Sequence, residues 1–198
     1  MSIERKVQLV ENLFDQLEQE NIEFKKASGI GCVANCGKCC TYADVEASPL
    51  EFLPWAFHLL LNGEAEKTLT LLNKTESATC LIYKPLSVIN QGRCSNYKYR
   101  GLICRLFGFA ANTDKYGNLR LATCKIIKEG QTDKYNSTAE AMKKGLYVPV
   151  FTEYYMQLNQ IDFKLGNIIL PVNKALKMAL EEVLHYYAYR PLPDLEKV

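Results

Sequence analysis

Histidine is almost missing from this 198-residue chain, which has only His58 and His185. Neither has a partner at metal-ligand spacing, so each is expected to sit in or beside the core of a helix, His58 near Trp55 and His185 near Tyr186. Also absent are the glycine-rich phosphate loop of nucleotide enzymes, the GxGxxG fingerprint and the HExxH run of zinc proteases. No apolar run approaches the roughly 20 residues that cross a bilayer. Charged residues interrupt the apolar positions of Met1–Phe14, so no secretory signal is expected; the chain reads as cytoplasmic, with no membrane contact. Charge of one sign is lacking too. The chain has 24 basic and 22 acidic residues, a formal net charge of +2, which gives no global attraction to nucleic acid or membrane. There is no internal repeat or low-complexity tract. A hydrophobic share of 48% and a charged share of 23% are those of a globular protein, expected here as a single domain over 1–198.

Helical periodicity dominates what is present. Ile3, Val7, Val10, Phe14 and Leu17 recur at steps of four and three, an amphipathic stripe that predicts a helix over about 2–26. Ser28-Gly29-Ile30-Gly31 ends it; Gly29 fits either a helix cap or a loosened loop. Ser48-Pro49-Leu50-Glu51 combines a capping box with proline at the first helical position. It predicts a helix over 49–62, bent early at Pro54. A short helix is expected over 64–73. Two apolar runs, 106–111 and 118–123, flank a polar turn at Asn112–Gly117 and predict a β-hairpin. Ser137-Thr138-Ala139-Glu140 reads as a second capping box, opening a helix that ends near Gly145. Helices follow at 150–162 and along Leu176, Leu180, Val183 and Tyr187, the last stopping before Pro191. The expected fold class is α+β and mainly helical, with an irregular cysteine-rich core and a small antiparallel hairpin between flanking amphipathic helices.

Eight cysteines supply the chemistry, and all lie between positions 32 and 124. Cys32, Cys36, Cys39 and Cys40 crowd into nine positions, while Cys80, Cys94, Cys104 and Cys124 are separated by 13, 9 and 19 residues. In a reducing compartment such clustering points to metal binding or catalysis more than to disulfides, and a chain of this size needs no covalent staples. Zinc ribbons use two CxxC pairs, but only Cys36-Gly37-Lys38-Cys39 has that spacing. The bacterial ferredoxin run is absent, since no proline follows Cys40. A thioredoxin-like site would want a βαβ unit beside its CxxC, where this chain has a helix and a glycine loop. Adjacent side chains diverge in extended backbone, so Cys39 and Cys40 can both ligate if they serve two nearby centres or sit on a tight turn. Two tetrahedral sites need eight thiolates. One four-thiolate site plus four buried structural cysteines is the alternative.

Cys36-Gly37-Lys38-Cys39-Cys40, Cys80-Leu81-Ile82-Tyr83, Cys94-Ser95-Asn96-Tyr97, Gly101-Leu102-Ile103-Cys104-Arg105-Leu106-Phe107 and Cys124 together resemble the CxxCxxCC cysteine-cluster family of YkgJ-like proteins. The resemblance covers about residues 30–126 and all eight cysteines in order. It implies chelation of zinc or iron, and members are often labelled iron–sulfur proteins. Three residues separate Cys32 from Cys36 where the family has two, and Gly101 stands where members often carry proline. Residues 30–126 are thus the expected metal-binding core, flanked by an N-terminal helix (1–29) and a helical C-terminal part (127–198).

Between Glu76 and Asp114 there is no acidic residue, yet Lys84, Arg93, Lys98, Arg100 and Arg105 all occur. Four thiolates on a dication carry a net charge of about −2, which basic neighbours would offset. Arg105, next to Cys104, is expected to donate a hydrogen bond to a ligand sulfur, with a surface ion pair as the alternative. Tyr83, Tyr97, Tyr99 and Phe107 interleave with these bases as on a nucleic-acid stacking surface, but a patch this small does not favour that partner. Asp44 and Glu46 could ligate a metal or simply be solvated. The functional expectation is an iron–sulfur cluster or iron held by Cys32, Cys36, Cys39, Cys40, Cys80, Cys94, Cys104 and Cys124, in an electron-transfer or accessory role. The alternatives are a zinc-stabilised interaction module and an enzyme related to the flagellin lysine N-methylases, which are similar across the same cysteine motif. A protein partner is not identified by the sequence.

Overall fold

The computed structural model describes residues 1–87 and 91–193. Helix α1 spans Ile3–Ser28, and the predicted stripe is its buried face. The Ser2 side chain accepts the Arg5 N–H at its start, and Gly29 closes it in the left-handed region at φ 66°. Gly29 is therefore a helix cap, and the chain turns there because only glycine takes that conformation without strain. A 3₁₀ turn at Lys38–Thr41 and a short strand β1, Glu46–Ala47, follow. The Ser48–Glu51 capping box forms as predicted, but it opens a 3₁₀ turn, Pro49–Phe52, that runs into α2, Leu53–Leu61. Pro54 lies in the first turn of α2, where its missing N–H costs nothing. The expected bend is thus a change of helix type. Helix α3 covers Ala65–Lys74.

A hairpin of β2, Tyr83–Pro85, and β3, Gly92–Cys94, comes next. Helix α4 spans Leu102–Leu106. The predicted hairpin exists, yet its strands are β4, Ala110–Thr113, and β5, Leu119–Ala122. Its first strand begins later than expected because Leu106 belongs to α4. Asp114 fixes the turn by accepting the N–H groups of Tyr116 and Asn118. Helices α5, Lys125–Gly130, and α6, Thr132–Lys143, follow. Residues Ser137–Glu140 lie inside α6, so they do not form the expected start. The Ser137 hydroxyl donates to the Lys134 carbonyl, the back-bonding of a mid-helix serine. The chain ends with α7 (Phe151–Ile161), α8 (Phe163–Gly166), β6 (Leu170–Pro171), which pairs antiparallel with β1, and α9 (Val172–Tyr187). The fold is mainly helical α+β with small antiparallel two-stranded sheets.

Two apolar clusters organise these elements. The larger joins Ile3–Leu17 of α1 to α2, α4, α7 and α9, with Leu17, Leu53, Leu176 and Leu180 wholly buried. Truncating any of these leucines to alanine costs about 2–5 kcal/mol. The smaller gathers Phe24, Ile30, Phe109, Ala111, Leu121, Ile127, Met142 and Val148. Helix α1 contributes to both, Phe24 being its share of the second. Asn21, between its two contributions, is buried and donates to the carbonyl of Arg105, tying α1 to α4.

Candidate metal centre

All eight cysteines line one cleft of about 950 Å³, and all are free thiols. They come from stretches far apart in sequence, each placed by local structure. Cys32 and Cys36 lie on the loop after α1. Gly31 exchanges two hydrogen bonds with the Gln131 side chain, N–H to Oε1 at 3.1 Å and Nε2–H to carbonyl at 2.6 Å, which anchors the loop to the α5–α6 junction. Cys39 and Cys40 sit on the 3₁₀ turn that Gly37 starts at φ 55°. A β-carbon at Gly37 would stand 2.6 Å from the Gly92 carbonyl oxygen, and one at Gly92 would strike the Tyr83 ring. The two glycines therefore let the thiol-bearing loop lie flat on the β2–β3 hairpin, where the Gly92 N–H donates to the Asn35 carbonyl at 3.0 Å.

Cys80 precedes β2 and donates its N–H to the Cys40 carbonyl at 3.0 Å. Asn173 of α9 pins this stretch: its Oδ1 accepts the Leu81 N–H at 2.8 Å, and its Nδ2 donates to the carbonyls of Ser77 and Thr79 at 2.9 Å each. Cys94 ends β3, opposite Tyr83. Cys104 is held by α4, whose first free N–H, on Ile103, donates to Glu51 Oε2 at 2.9 Å. Cys124 caps α5, its sulfur accepting the Ile127 N–H at 3.4 Å.

The electrostatics are those of thiols crowded together. Burial, and then neighbouring thiolates, push Cys32, Cys80, Cys94 and Cys104 upward, Cys80 to about 11. The adjacent pair splits: a hydrogen bond from the Cys40 thiol lowers Cys39, and the same bond raises Cys40. Lys25, Lys38, Lys84, Arg93 and Arg100 line the cleft, and among the described residues no carboxylate or imidazole does. The donor set is therefore all sulfur.

The predicted role of Arg105 is not what its geometry shows. It is buried, its Nε donates to the Arg100 carbonyl at 3.1 Å, and its other groups reach Glu18 and the Lys98 carbonyl. Its guanidinium lies over the Phe14 ring. Among the described residues none of its hydrogen bonds ends on sulfur, and it does not line the cleft, though its charge bears on Cys94. Arg100 lines the cleft where Arg105 does not. It is buried, paired with Glu18 at 3.0 Å, stacked on Tyr97, and lowers Cys39 through its charge. The acid-free basic stretch was the signal for it; nothing in the sequence marked Glu18, one acid among several on α1.

Asp44 and Glu46 are exposed and line no part of the cleft. His58 stacks on Tyr99 at 4.5 Å and bonds Asn62, and His185 is exposed on α9. Of the aromatics read as a stacking surface, Tyr83 packs on Gly92 and Tyr99 on His58.

Among the described residues no three cysteine, histidine or acidic side chains already converge closely enough to hold an ion. The residues nonetheless fit a soft metal or cluster. Deprotonation of Cys32, Cys80, Cys94 and Cys104 is opposed by burial and by neighbouring thiolates, an arrangement that a bound cation relieves. The Arg100 Nε–H is buried without a hydrogen-bond partner, a donor suited to an anionic sulfur.

An all-thiol, acid-free cleft on a helical frame has the donor chemistry of a metal chelator. A family model described as "CxxCxxCC: Putative zinc- or iron-chelating domain" matches residues 31–140, more than half of the chain, and the chain belongs to that family. The match runs past the expected boundary at 126 to take in α5, most of α6 and Gln131. No curated protein and no solved structure matches the chain. Among the described residues no helix is long and apolar enough to cross a membrane.

Proposed function

We propose that this protein holds an iron–sulfur cluster or iron in its cysteine cleft and serves in electron transfer or as a cofactor-bearing accessory factor. One observation carries the reading: eight free thiols from distant stretches line a single acid-free cleft of about 950 Å³. A lone tetrahedral zinc, with Zn–S bonds of about 2.3 Å, needs only four thiolates and a small fraction of that space. Cys32, Cys36, Cys39, Cys40, Cys80, Cys94, Cys104 and Cys124 would supply the ligands. When bound, a cluster supplies a one-electron redox centre whose potential responds to hydrogen bonds at sulfur and to solvent exposure. The unpartnered Arg100 N–H supports Arg100 as the donor of such a bond, with Glu18 paired to its guanidinium at 3.0 Å. Lys25, Lys38, Lys84 and Arg93 offset the thiolate charge.

A second reading rests on the Cys36-Gly37-Lys38-Cys39 turn. The left-handed Gly37 and the Cys40 N–H donated to the Gly37 carbonyl make a compact two-thiol turn of the kind that forms half a zinc site. Anaerobic purification followed by assay of iron, labile sulfide and zinc, with the visible spectrum, separates the two. Brown protein with matched iron and sulfide supports the first, and colourless protein with stoichiometric zinc supports the second. Folded protein that retains no metal overturns both.

A further inference from the structure

The eight thiols do not form one undivided ring. Cys80 is joined to Cys40 through its N–H, and its own carbonyl accepts the Tyr83 N–H at 2.9 Å. Tyr83 in turn faces Cys94 across the hairpin. Cys80 and Cys94 both pack against the larger apolar cluster, which contains Leu102 and Leu106 on either side of Cys104. Cys40, Cys80, Cys94 and Cys104 therefore share one wall of the cleft, and all four are half-buried.

The remaining thiols belong to the other wall. Cys124 packs against the smaller cluster, of which Ile30 is also a member. Gly31, immediately before Cys32, is locked to Gln131, just beyond the helix that Cys124 caps. Cys36 follows on the same loop, its N–H donating to the Val33 carbonyl at 3.2 Å next to Cys32. Cys32 and Cys39 are exposed, so this wall forms the mouth. The adjacent Cys39 and Cys40 lie on a 3₁₀ turn, where successive side chains point about 120° apart, because three residues complete a turn. Two neighbours on such a turn face different directions and suit different centres.

We infer that the cleft binds two metal centres, an inner one on Cys40, Cys80, Cys94 and Cys104 and an outer one on Cys32, Cys36, Cys39 and Cys124, with the Cys39–Cys40 pair divided between them. The division rests on the chelation reading above and adds to it the number of centres and their ligands. It accounts for the eight thiols with four per centre, the usual complement for both zinc and common iron–sulfur clusters. The two centres differ in access: a chelator reaches the mouth without disturbing the hairpin, whereas the inner wall is packed on the core.

Native mass spectrometry of protein purified and handled without oxygen counts the centres on each chain. Two centres are expected for the wild type, and one for Cys124→Ser and for Cys104→Ser. Extraction with EDTA, followed by metal analysis, should release metal from the wild type in two phases of about equal size. Cys124→Ser should lack the fast phase and Cys104→Ser the slow one. A wild type with a single centre, or single-phase release, overturns the division. So does a Cys124→Ser protein that keeps all or loses all of its metal, and this arm decides the matter even if Cys104→Ser does not fold. Wild-type protein that binds no metal overturns the chelation reading itself, a result distinct from any of these.

Discussion

Removing the Glu51 carboxylate should both destabilise the metal-free protein and loosen Cys104. Glu51 is 1% exposed, and its two oxygens receive three donors: the Ser48 N–H at 2.8 Å, the Tyr155 hydroxyl at 3.1 Å and the Ile103 N–H at 2.9 Å. An orphaned buried donor costs about 1–3 kcal/mol. Allowing for non-additivity among neighbours, Glu51→Ala should lose about 3–6 kcal/mol. That is a large part of the roughly 5–15 kcal/mol of a typical domain. Tyr155→Phe removes one of the three bonds and should lose about 1–3 kcal/mol. The assay is urea unfolding of reduced, metal-free protein followed by circular dichroism. Burial raises the Glu51 carboxyl above its ordinary value, so the fold favours its protonated form. Its contribution is then complete below the unfolded value, near 4.3, and declines as pH rises through the folded one. Glu51→Gln should flatten that decline. A Glu51→Ala protein within 1 kcal/mol of wild type (about the smallest difference the argument allows) would refute the reasoning.

Arg100→Gln, which removes the cleft's unpartnered buried N–H and its charge, should weaken metal retention about 10- to 100-fold, read by competition with a chromophoric chelator. Asn173→Ala frees the Ser77–Leu81 stretch from α9, and hydrogen exchange at Leu81 should accelerate while α9 itself stays protected. Gly37→Ala forces a β-carbon against the Gly92 carbonyl; metal content should fall sharply while urea stability of the metal-free protein changes by less than about 1 kcal/mol, since the loop lies outside the core. Metal affinity should also fall as pH drops: burial raises Cys32, Cys80, Cys94 and Cys104, so protons compete for these thiols more strongly than for free cysteine.

The long helices were legible because they are amphipathic: the Ile3–Leu17 stripe and the Leu176–Tyr187 stripe are buried faces of α1 and α9. The Ser48–Glu51 box was legible because two reciprocal bonds must form at short range. The same pattern at Ser137–Glu140 misled, since a serine inside a helix can satisfy its hydroxyl on the preceding turn. Leu106 was read as strand because a short apolar run has no period long enough to separate strand from helix. The tertiary partner that makes it helical, Glu51 at the N-terminus of α4, is half a hundred residues away in sequence. The region holding the site was marked by cysteine spacing alone. The distinction between Arg100 and Arg105 was not, because both sit in the same basic stretch, and only the fold puts Arg105 on α4 and Arg100 on the turn before it.

Asn173, Gln131 and Glu51 all steady the cleft from elements whose packing needs no thiol. In zinc fingers the ion nucleates the core, so stripping it unravels the chain. Here the helices bury most of the apolar clusters against one another, with Cys80, Cys94 and Cys124 only at the margins. Metal loss is then expected to be an event of the loops, its rate following how often Gly31 parts from Gln131 or Leu81 from Asn173. A protein so built is expected to be emptied and refilled without passing through an unfolded chain.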